Sequence, residues 1–329
     1  VKPHAMSGST SGEVATKSGS SPKPRWIFTK EEMMVAASLR EGMEAWQELQ
    51  HRQQATRFIQ TLGDQLNKNL RDPRGKMSQL CMCAAMIHMH RFFYFHSFTF
   101  FDYRDIAAAC LFLSGKSEEC PRKLEHIVRA WWMEKFPGIK LDQQRYEDAS
   151  NLLVCLESLI LQTISFDLHV SLPHPLVLKT MHIVAKDDNP TSTGNRKITE
   201  VAYFFSTDVL CVTSWGIRYT AEAIAVACVY IVCVWANFQL PVFDDGSKWF
   251  NKTDPSMTQE KLDEMSREFM KIYKSCSNEL ALKRFAEKGD VIREPSSLAA
   301  SSPHSSMTLL PPPGFRDGAG GNLLPPPPA

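Results

Sequence analysis

The stretch DIAAACLFLSGKSEECPRKLEH, Asp105 to His126, decides how this chain folds. It opens with Ile106-Ala-Ala-Ala-Cys-Leu-Phe-Leu113, small and large apolar residues with no polar face. A helix apolar all round has to be enclosed by other helices, so the run predicts the hub of an α-helical bundle. Charge returns at Lys116, Glu118 and Glu119, and Pro121 follows. Lys116 falls near the predicted helix C-terminus, where the helix dipole favours a cation.

The hub has a second copy. Ile224-Ala-Val-Ala-Cys228 repeats Ile106-Ala-Ala-Ala-Cys110 at an offset of 118 positions, with Tyr230 matching Phe112 and Ile231 matching Leu113. Two copies predict tandem all-helical repeats, each built around a buried helix. The copies part at the charged end. Val234 stands in the place of Lys116, and Trp235, Ala236 and Asn237 in those of Ser117, Glu118 and Glu119. Shared residues serve a core, so charges found in one copy are the candidates for function.

Composition bounds the classes. The 329 residues allow two domains plus tails, and 37 basic against 36 acidic residues leave a net charge of +1. Such a balance implies no bulk attraction to nucleic acid or to a membrane surface. Nine cysteines, several inside apolar runs (Cys110, Cys155, Cys228, Cys233) and none in a CxxC pair, read as buried reduced thiols. Without an apolar leader-like run near Val1, the expected compartment is cytosol or nucleus.

Along the chain, residues 1–24 are polar and predicted disordered, until Arg25-Trp-Ile-Phe28 breaks the run. Thr29 is placed to cap a short helix with Glu31 and Glu32 in its first turn. The aromatic-basic segment can dock on its own domain or reach a partner. A first repeat of five helices follows: one from near Glu48 with Ala55, Phe58, Ile59, Leu62 and Leu66 inward, and a break at Asp72–Gly75. The second spans 77–95, with Leu80, Ala84, Ile87, Arg91 and Phe95 on one stripe; the hub is the third. The fourth carries Leu124, Ile127, Val128 and Trp131. The fifth, from about Gln144 to Thr163, carries Leu152, Leu156, Leu159 and Ile160, with Glu157 among them. The connector SFDLHVSLPHP, Ser165–Pro175, contains two helix-interrupting prolines. The second repeat reads as helices at 177–185, 197–211 and 221–238 and one through Leu262, Met265, Phe269 and Ile272, with a polar loop at 187–195. From about Glu287 the chain is polar and Pro-rich.

No catalytic pattern appears: GxGxxG, P-loop, GxSxG and HExxH are all absent. His88 and His90 project about 200° apart on a helix and do not make a metal pair; Cys81 and Cys83 fail in the same way. The uncharged run Ala223–Phe243 is long enough to span a bilayer, but its Ala-rich composition and its Asn237, Gln239 and Pro241 favour a buried helix. Lys116 and Glu157 remain. A carboxylate among leucines is costly unless a cation meets it. If neighbouring helices join the two, Phe112 sits one turn before Lys116, giving an aromatic anchor beside a fixed charge pair.

At these residues the chain resembles the cyclins, and within them the cyclin T branch, over about residues 25–280. The resemblance rests on Arg25-Trp-Ile-Phe-Thr29, Arg52-Gln-Gln-Ala55, Met89-His-Arg-Phe92 with Ser97-Phe98, and Cys120-Pro-Arg-Lys-Leu-Glu-His126. Leu156-Glu-Ser158, Leu161-Gln-Thr163 and Asp245-Gly-Ser-Lys-Trp249 add to it. Cyclins K and L share several of these motifs, but Lys123–His126 and Asp245–Trp249 favour T. The first-helix docking motif of cell-cycle cyclins is not evident.

The resemblance implies an all-α fold of two tandem five-helix cyclin boxes. The first would span 48–168 and the second 169–285, with a kinase-flanking segment at 25–47 and disordered tails at 1–24 and 286–329. It implies a non-catalytic subunit, without metal or cofactor, that binds and activates a cyclin-dependent kinase. Lys116 and Glu157 match the family's kinase-contact pair, Phe112, Glu119 and Leu168 neighbouring contacts, and Arg25, Trp26 and Phe28 the segment beside the kinase. The partner implied is cyclin-dependent kinase 9, in positive transcription elongation factor b, acting on the RNA polymerase II C-terminal domain in the nucleus and meeting elongation regulators. A cyclin K- or L-type partner of another transcriptional kinase, or a passive cyclin-fold scaffold, stays open. One departure is Ser117, where the branch more often has Val; another is a short tail without a histidine-rich segment.

Overall fold

The computed structural model describes residues 25–68, 76–185, 193–244, 246–276, 280–288 and 292–293. Twelve helices run through them: α1 Lys30–Met33, α2 Ala37–Arg40, α3 Ala45–Lys68, α4 Gln79–Phe95, α5 Tyr103–Ser117, α6 Leu124–Lys135 and α7 Gln143–Thr163, then α8 Pro173–Val184, α9 Thr193–Val212, α10 Ala221–Trp235, α11 Gln259–Ser275 and α12 Ala281–Lys288. No strand occurs among the described residues, which hold one isolated bridge, Val242 with Lys248. The fold is all-α, with α3–α7 and α8–α12 forming two successive five-helix sets.

The two hubs are built alike down to their ends. α5 packs against α3, α4, α6 and α7, and α10 against α8, α9 and α11. Both are 15 residues long. Asp102 caps α5 through the Arg104 N–H, and Thr220, 118 positions on, caps α10 through the Ala223 N–H. Both helices close with a left-handed residue, Glu119 (φ 56°) and Asn237 (φ 50°). In each, the following amide reaches back to a helix carbonyl: Cys120 to Gly115 and Phe238 to Cys233, both at 2.8 Å. This is the Schellman closure, which satisfies carbonyls that the helix leaves over.

α4 departs from the single apolar stripe expected of it. Every residue from Cys81 to Phe93 is buried, whereas Leu80 is only half-buried and Phe95 is exposed. The physical reason is that α4 is covered twice, by α3, α5 and α7 of the first set and by α9 and the 3-10 turn Trp215–Ile217 of the second. That turn comes close because it carries a glycine: a Cβ on Gly216 would stand 2.2 Å from Ile87 Cδ1. Other expectations shift by a residue or more. Leu152 is exposed and Leu153 buried on α7, and Cys155 is an exposed thiol. Pro173 and Pro175 start α8 instead of interrupting helix, since the first turn has amides that need no internal acceptor.

Polar side chains of the first set cap a helix of the second. The last carbonyls of α9 have no acceptor role inside the helix. Leu210 O receives His90 Nε2 at 3.2 Å, Cys211 O the Thr56 hydroxyl at 2.8 Å and Val212 O the Gln53 amide at 2.8 Å. His90 Nδ1 lies 3.1 Å from the Arg52 guanidinium, which also bonds Glu48 at 2.6 Å and the carbonyls of His90 and Phe93. Arg52 can only donate, so Nδ1 is the acceptor and Nε2 carries the hydrogen given to Leu210. Burial, with the Arg52 charge beside it, pulls His90 down to about 3, so it stays neutral.

α10 ends at Trp235, and no helix among the described residues is long and apolar enough to cross a membrane. Beyond α12, Ile292 is buried and the Arg293 amide donates to Trp235 O at 2.9 Å, so described chain reaches past residue 285. Residues 1–24, the Asp72–Gly75 break, most of the 187–195 loop and residues 294–329 lie outside the described residues.

Asp208 on α9 receives the first amides of α12, with Leu282 N at 3.0 Å. Burial nevertheless pushes its carboxyl up to about 6. A carboxyl raised above its unfolded value favours folding while protonated, and that contribution is lost as pH rises from about 4 through 6. Asp208→Asn keeps an acceptor for Leu282 without the charge. The variant is expected to be more stable than the parent at pH 7, on the order of 2 kcal/mol, and about equal to it at pH 4. Urea unfolding at both pH values checks this; equal stability differences at the two would refute it.

Candidate functional site

The predicted charge pair forms. Lys116, in the last turn of α5, makes an ion pair with Glu157 Oε1 on α7. Glu157 is buried, 8 % exposed, among Leu153, Leu156 and Ile160, while the Lys116 side chain remains 46 % exposed. The Lys116 ammonium also stands 4.2 Å from the centroid of the Phe112 ring, one turn earlier. The ammonium has three donors, and Glu157 meets it from one side only. What results is a cation at the surface, anchored from beneath by a carboxylate and from the side by a half-buried ring.

Glu119 lies exposed on the turn that follows, in a left-handed conformation that costs a β-carbon-bearing residue about 1 kcal/mol or more. Asn237 occupies the equivalent turn after α10, and asparagine tolerates that conformation better. Ser117 folds its hydroxyl back towards Ser114 O at 3.4 Å, so it offers little to a partner.

The remaining four candidates form a second group, past the end of α7. The Trp26 indole donates to Asp167 Oδ2 at 2.8 Å, and Arg25 stands 3.9 Å from the same oxygen. Arg91, buried on α4, lies 4.9 Å from the Trp26 ring centroid and donates to the carbonyls of Asp167 and His169. Phe28 stacks on Tyr94 at 3.6 Å, and its amide crosses to Ile217 O of the second set at 2.8 Å. Leu168 is half-buried against the core. The Trp26 hydrogen bond, with help from the His169 amide and the two arginines, holds the Asp167 carboxyl below its usual range. Segment 25–28 is thus docked on its own chain, with Arg25 exposed at its edge.

Sequence reasoning missed Asp167, Arg91 and Tyr94, which make the seat for Trp26 and Phe28. Arg91 carried the available signal: an arginine on an apolar stripe needs a reason to be there. It also missed Phe166, 67 % exposed and left-handed at φ 58°, which closes α7. His88 is buried with both ring nitrogens unpartnered, His96 bonds Thr163 at 2.9 Å, and the described residues hold no cluster of metal-ligating type.

Comparison with known proteins fits this geometry. A model of the cyclin N-terminal domain matches residues 31–169, and one of the cyclin-T2-like C-terminal domain matches residues 173–272. Cyclin-T1.1 of Caenorhabditis elegans is 41 % identical over 297 residues, which is 88 % of this chain and 62 % of that protein. The chain belongs to the cyclin T family. Human Cyclin-T1 is 35 % identical over 259 residues, covering 78 % of this chain, and human Cyclin-T2 is 34 % identical over 283 residues. This cyclin T spans about a third of the length of those human relatives, 33 % and 36 %. Among solved structures, a chain of the yeast RNA Pol II CTD kinase CTDK-1 complex is similar over 83 % of this one, with a TM-score of 0.59 at 14 % identity. A chain of yeast TFIIK (Kin28/Ccl1/Tfb3) reaches a TM-score of 0.51 at 18 % identity, covering 75 %. Both likenesses are of fold.

Two outcomes follow from the two groups. Asp167→Ala should release segment 25–28, speeding tryptic cleavage after Lys30 several-fold and costing roughly 1 kcal/mol; unchanged cleavage would show that Asp167 does not hold it. Glu119→Gly should raise stability by up to roughly 1 kcal/mol in urea unfolding, because glycine carries no left-handed penalty. A loss of stability would contradict the strain assigned to Glu119.

Proposed function

We propose that this cyclin T is a non-catalytic regulatory subunit that binds and activates a cyclin-dependent kinase acting on the RNA polymerase II C-terminal domain. The kinase proposed is cyclin-dependent kinase 9, the complex positive transcription elongation factor b and the location the nucleus. The observation that carries the reading is the Lys116–Glu157 pair beside Phe112, with its lysine exposed on the first repeat and Val234 in the place of Lys116 in the second. A buried carboxylate that holds a cation half in water gains little for stability, since partial exposure screens the pair. The same arrangement gives a partner a preset charge and an aromatic contact. Family membership, and the kinase complexes named for the two yeast structures, support the same reading.

In this reading Lys116, Glu157, Phe112, Glu119 and Leu168 meet the kinase, with Arg25, Trp26 and Phe28 flanking it. The first box, 48–168, presses the kinase αC helix inward. That closes the kinase's own Lys–Glu ion pair and orders its activation loop, so all the chemistry belongs to the kinase.

The test is reconstitution of the full chain with purified cyclin-dependent kinase 9 and a polymerase C-terminal-domain peptide. Phosphorylation is expected from the pair and not from the chain alone. Lys116→Glu should keep the helical circular dichroism and weaken kinase binding by about tenfold or more, the scale for reversing a charge in a contact. Glu157→Ala should weaken binding while changing stability little, since the pair is screened. If folded Lys116→Glu captures kinase as well as the parent does, the contact assignment is wrong; if no kinase is activated, a scaffold role replaces this one.

A further inference from the structure

Residues 165–172 lead from α7 into α8, and they begin under strain. Ser165 (φ 52°) and Phe166 (φ 58°) are consecutive left-handed residues, a conformation disfavoured for any side chain with a β-carbon. Such a pair persists only where its surroundings hold it. What holds the next residues is a side chain from another helix. Arg91 on α4 is 6 % exposed; its Nη1 donates to Asp167 O at 3.2 Å and its Nη2 to His169 O at 3.1 Å. Those two carbonyls bracket Leu168. The same guanidinium lies against the Trp26 ring, 4.9 Å from its centroid.

The surroundings of Arg91 do not suit a group kept for stability. The Asp167 carboxylate accepts from the Trp26 indole at 2.8 Å and from the His169 amide at 3.3 Å, which leaves the guanidinium bonded to main-chain carbonyls instead. Its Nε is buried without a partner, as are both ring nitrogens of His88, one turn earlier on α4. Burial pulls the guanidinium down to about 10, so it remains a cation at neutral pH. A buried cation without a bonded carboxylate costs stability, and an apolar side chain of like size is often no worse. The planar fork does what an apolar side chain cannot: it fixes two carbonyls relative to one ring.

We infer that Arg91 is a positioning residue for partner binding: it sets Leu168 and Trp26 in the arrangement the kinase meets, without touching the kinase. This rests on the regulatory-subunit reading, in which those two side chains are contacts. Leu168 comes from the connector and Trp26 from the start of the described chain, 142 positions apart, and the Arg91 guanidinium is the group that both lie against. Arg91 acts by forming the contact surface before the partner arrives, so its removal shows as weaker association and not as unfolding.

The experiment uses the purified full chain with Arg91→Met, which removes charge and fork, and Arg91→Lys, which keeps the charge alone. Hydrogen exchange read by mass spectrometry should show peptides across 165–172 exchanging several-fold faster in both variants. Exchange in α5 and α10 and the urea midpoint should stay close to the parent's. Affinity for purified cyclin-dependent kinase 9 should fall about tenfold in both, within the usual range of coupling between sites. With Leu168→Ala already present, Arg91→Met should cost less affinity than it does alone, since residues that act together are not additive. Exchange at 165–172 matching the parent's would overturn the positioning. Arg91→Lys or Arg91→Met binding kinase as tightly as the parent, or fully additive losses with Leu168→Ala, would overturn its part in partner binding. A lowered urea midpoint with faster exchange through α4, α5 and α10 would make Arg91 a merely structural residue and overturn the inference as a whole. A parent chain that binds no kinase would instead fell the reading beneath it, while the exchange measurement still decides whether Arg91 holds the connector.

Discussion

Three backbone carbonyls at the end of α9 constrain the rest of this molecule. Left in an apolar interior, Leu210 O, Cys211 O and Val212 O would each cost as much as a lost hydrogen bond. Their donors come from α3 and α4, through His90, Thr56 and Gln53. The second repeat therefore completes its own helix only against the first. The chain Glu48–Arg52–His90–Leu210 explains why an arginine can be fully buried: each of its contacts is an acceptor, and its charge is met by a carboxylate at 2.6 Å. Because His90 has a single workable tautomer, the joint has one geometry, and the two repeats behave as one body.

That rigidity serves the candidate contact surface. Lys116 sits at the end of a helix enclosed by four others, and Glu157 beneath it is fixed on α7. A partner docking there would meet a charge whose position is set before binding, which lowers the ordering cost of association. Docking of Trp26 and Phe28 on Asp167, Arg91 and Tyr94 does the same for the N-terminal segment. Strain is concentrated where contact is proposed: Glu119, Ser165 and Phe166 all take left-handed conformations at the ends of α5 and α7.

Much of this was legible in the sequence, for identifiable reasons. The hubs declared themselves because a fully enclosed helix has no polar face, and their duplication separated core residues from Lys116. Glu157 was legible because a carboxylate among leucines demands a cation. What escaped was set by contacts distant in sequence. α4 read as one-sided because nothing local says that a helix will be covered by two repeats, and Leu152 and Leu153 cannot be ranked by spacing alone when both are apolar. Asp167 looked ordinary until Trp26 was found to donate to it.

The bond from the Phe28 amide to Ile217 O gives the chain an order of assembly. It clasps the start of the described chain to a turn far downstream, and so long a loop gains nothing from closing until what it encloses is already in place. As the polypeptide leaves the ribosome, segment 25–28 has to wait for the second repeat before the Phe28 amide finds its acceptor. The second repeat, which lacks the charge pair, thus supplies the acceptor that the N-terminal segment needs.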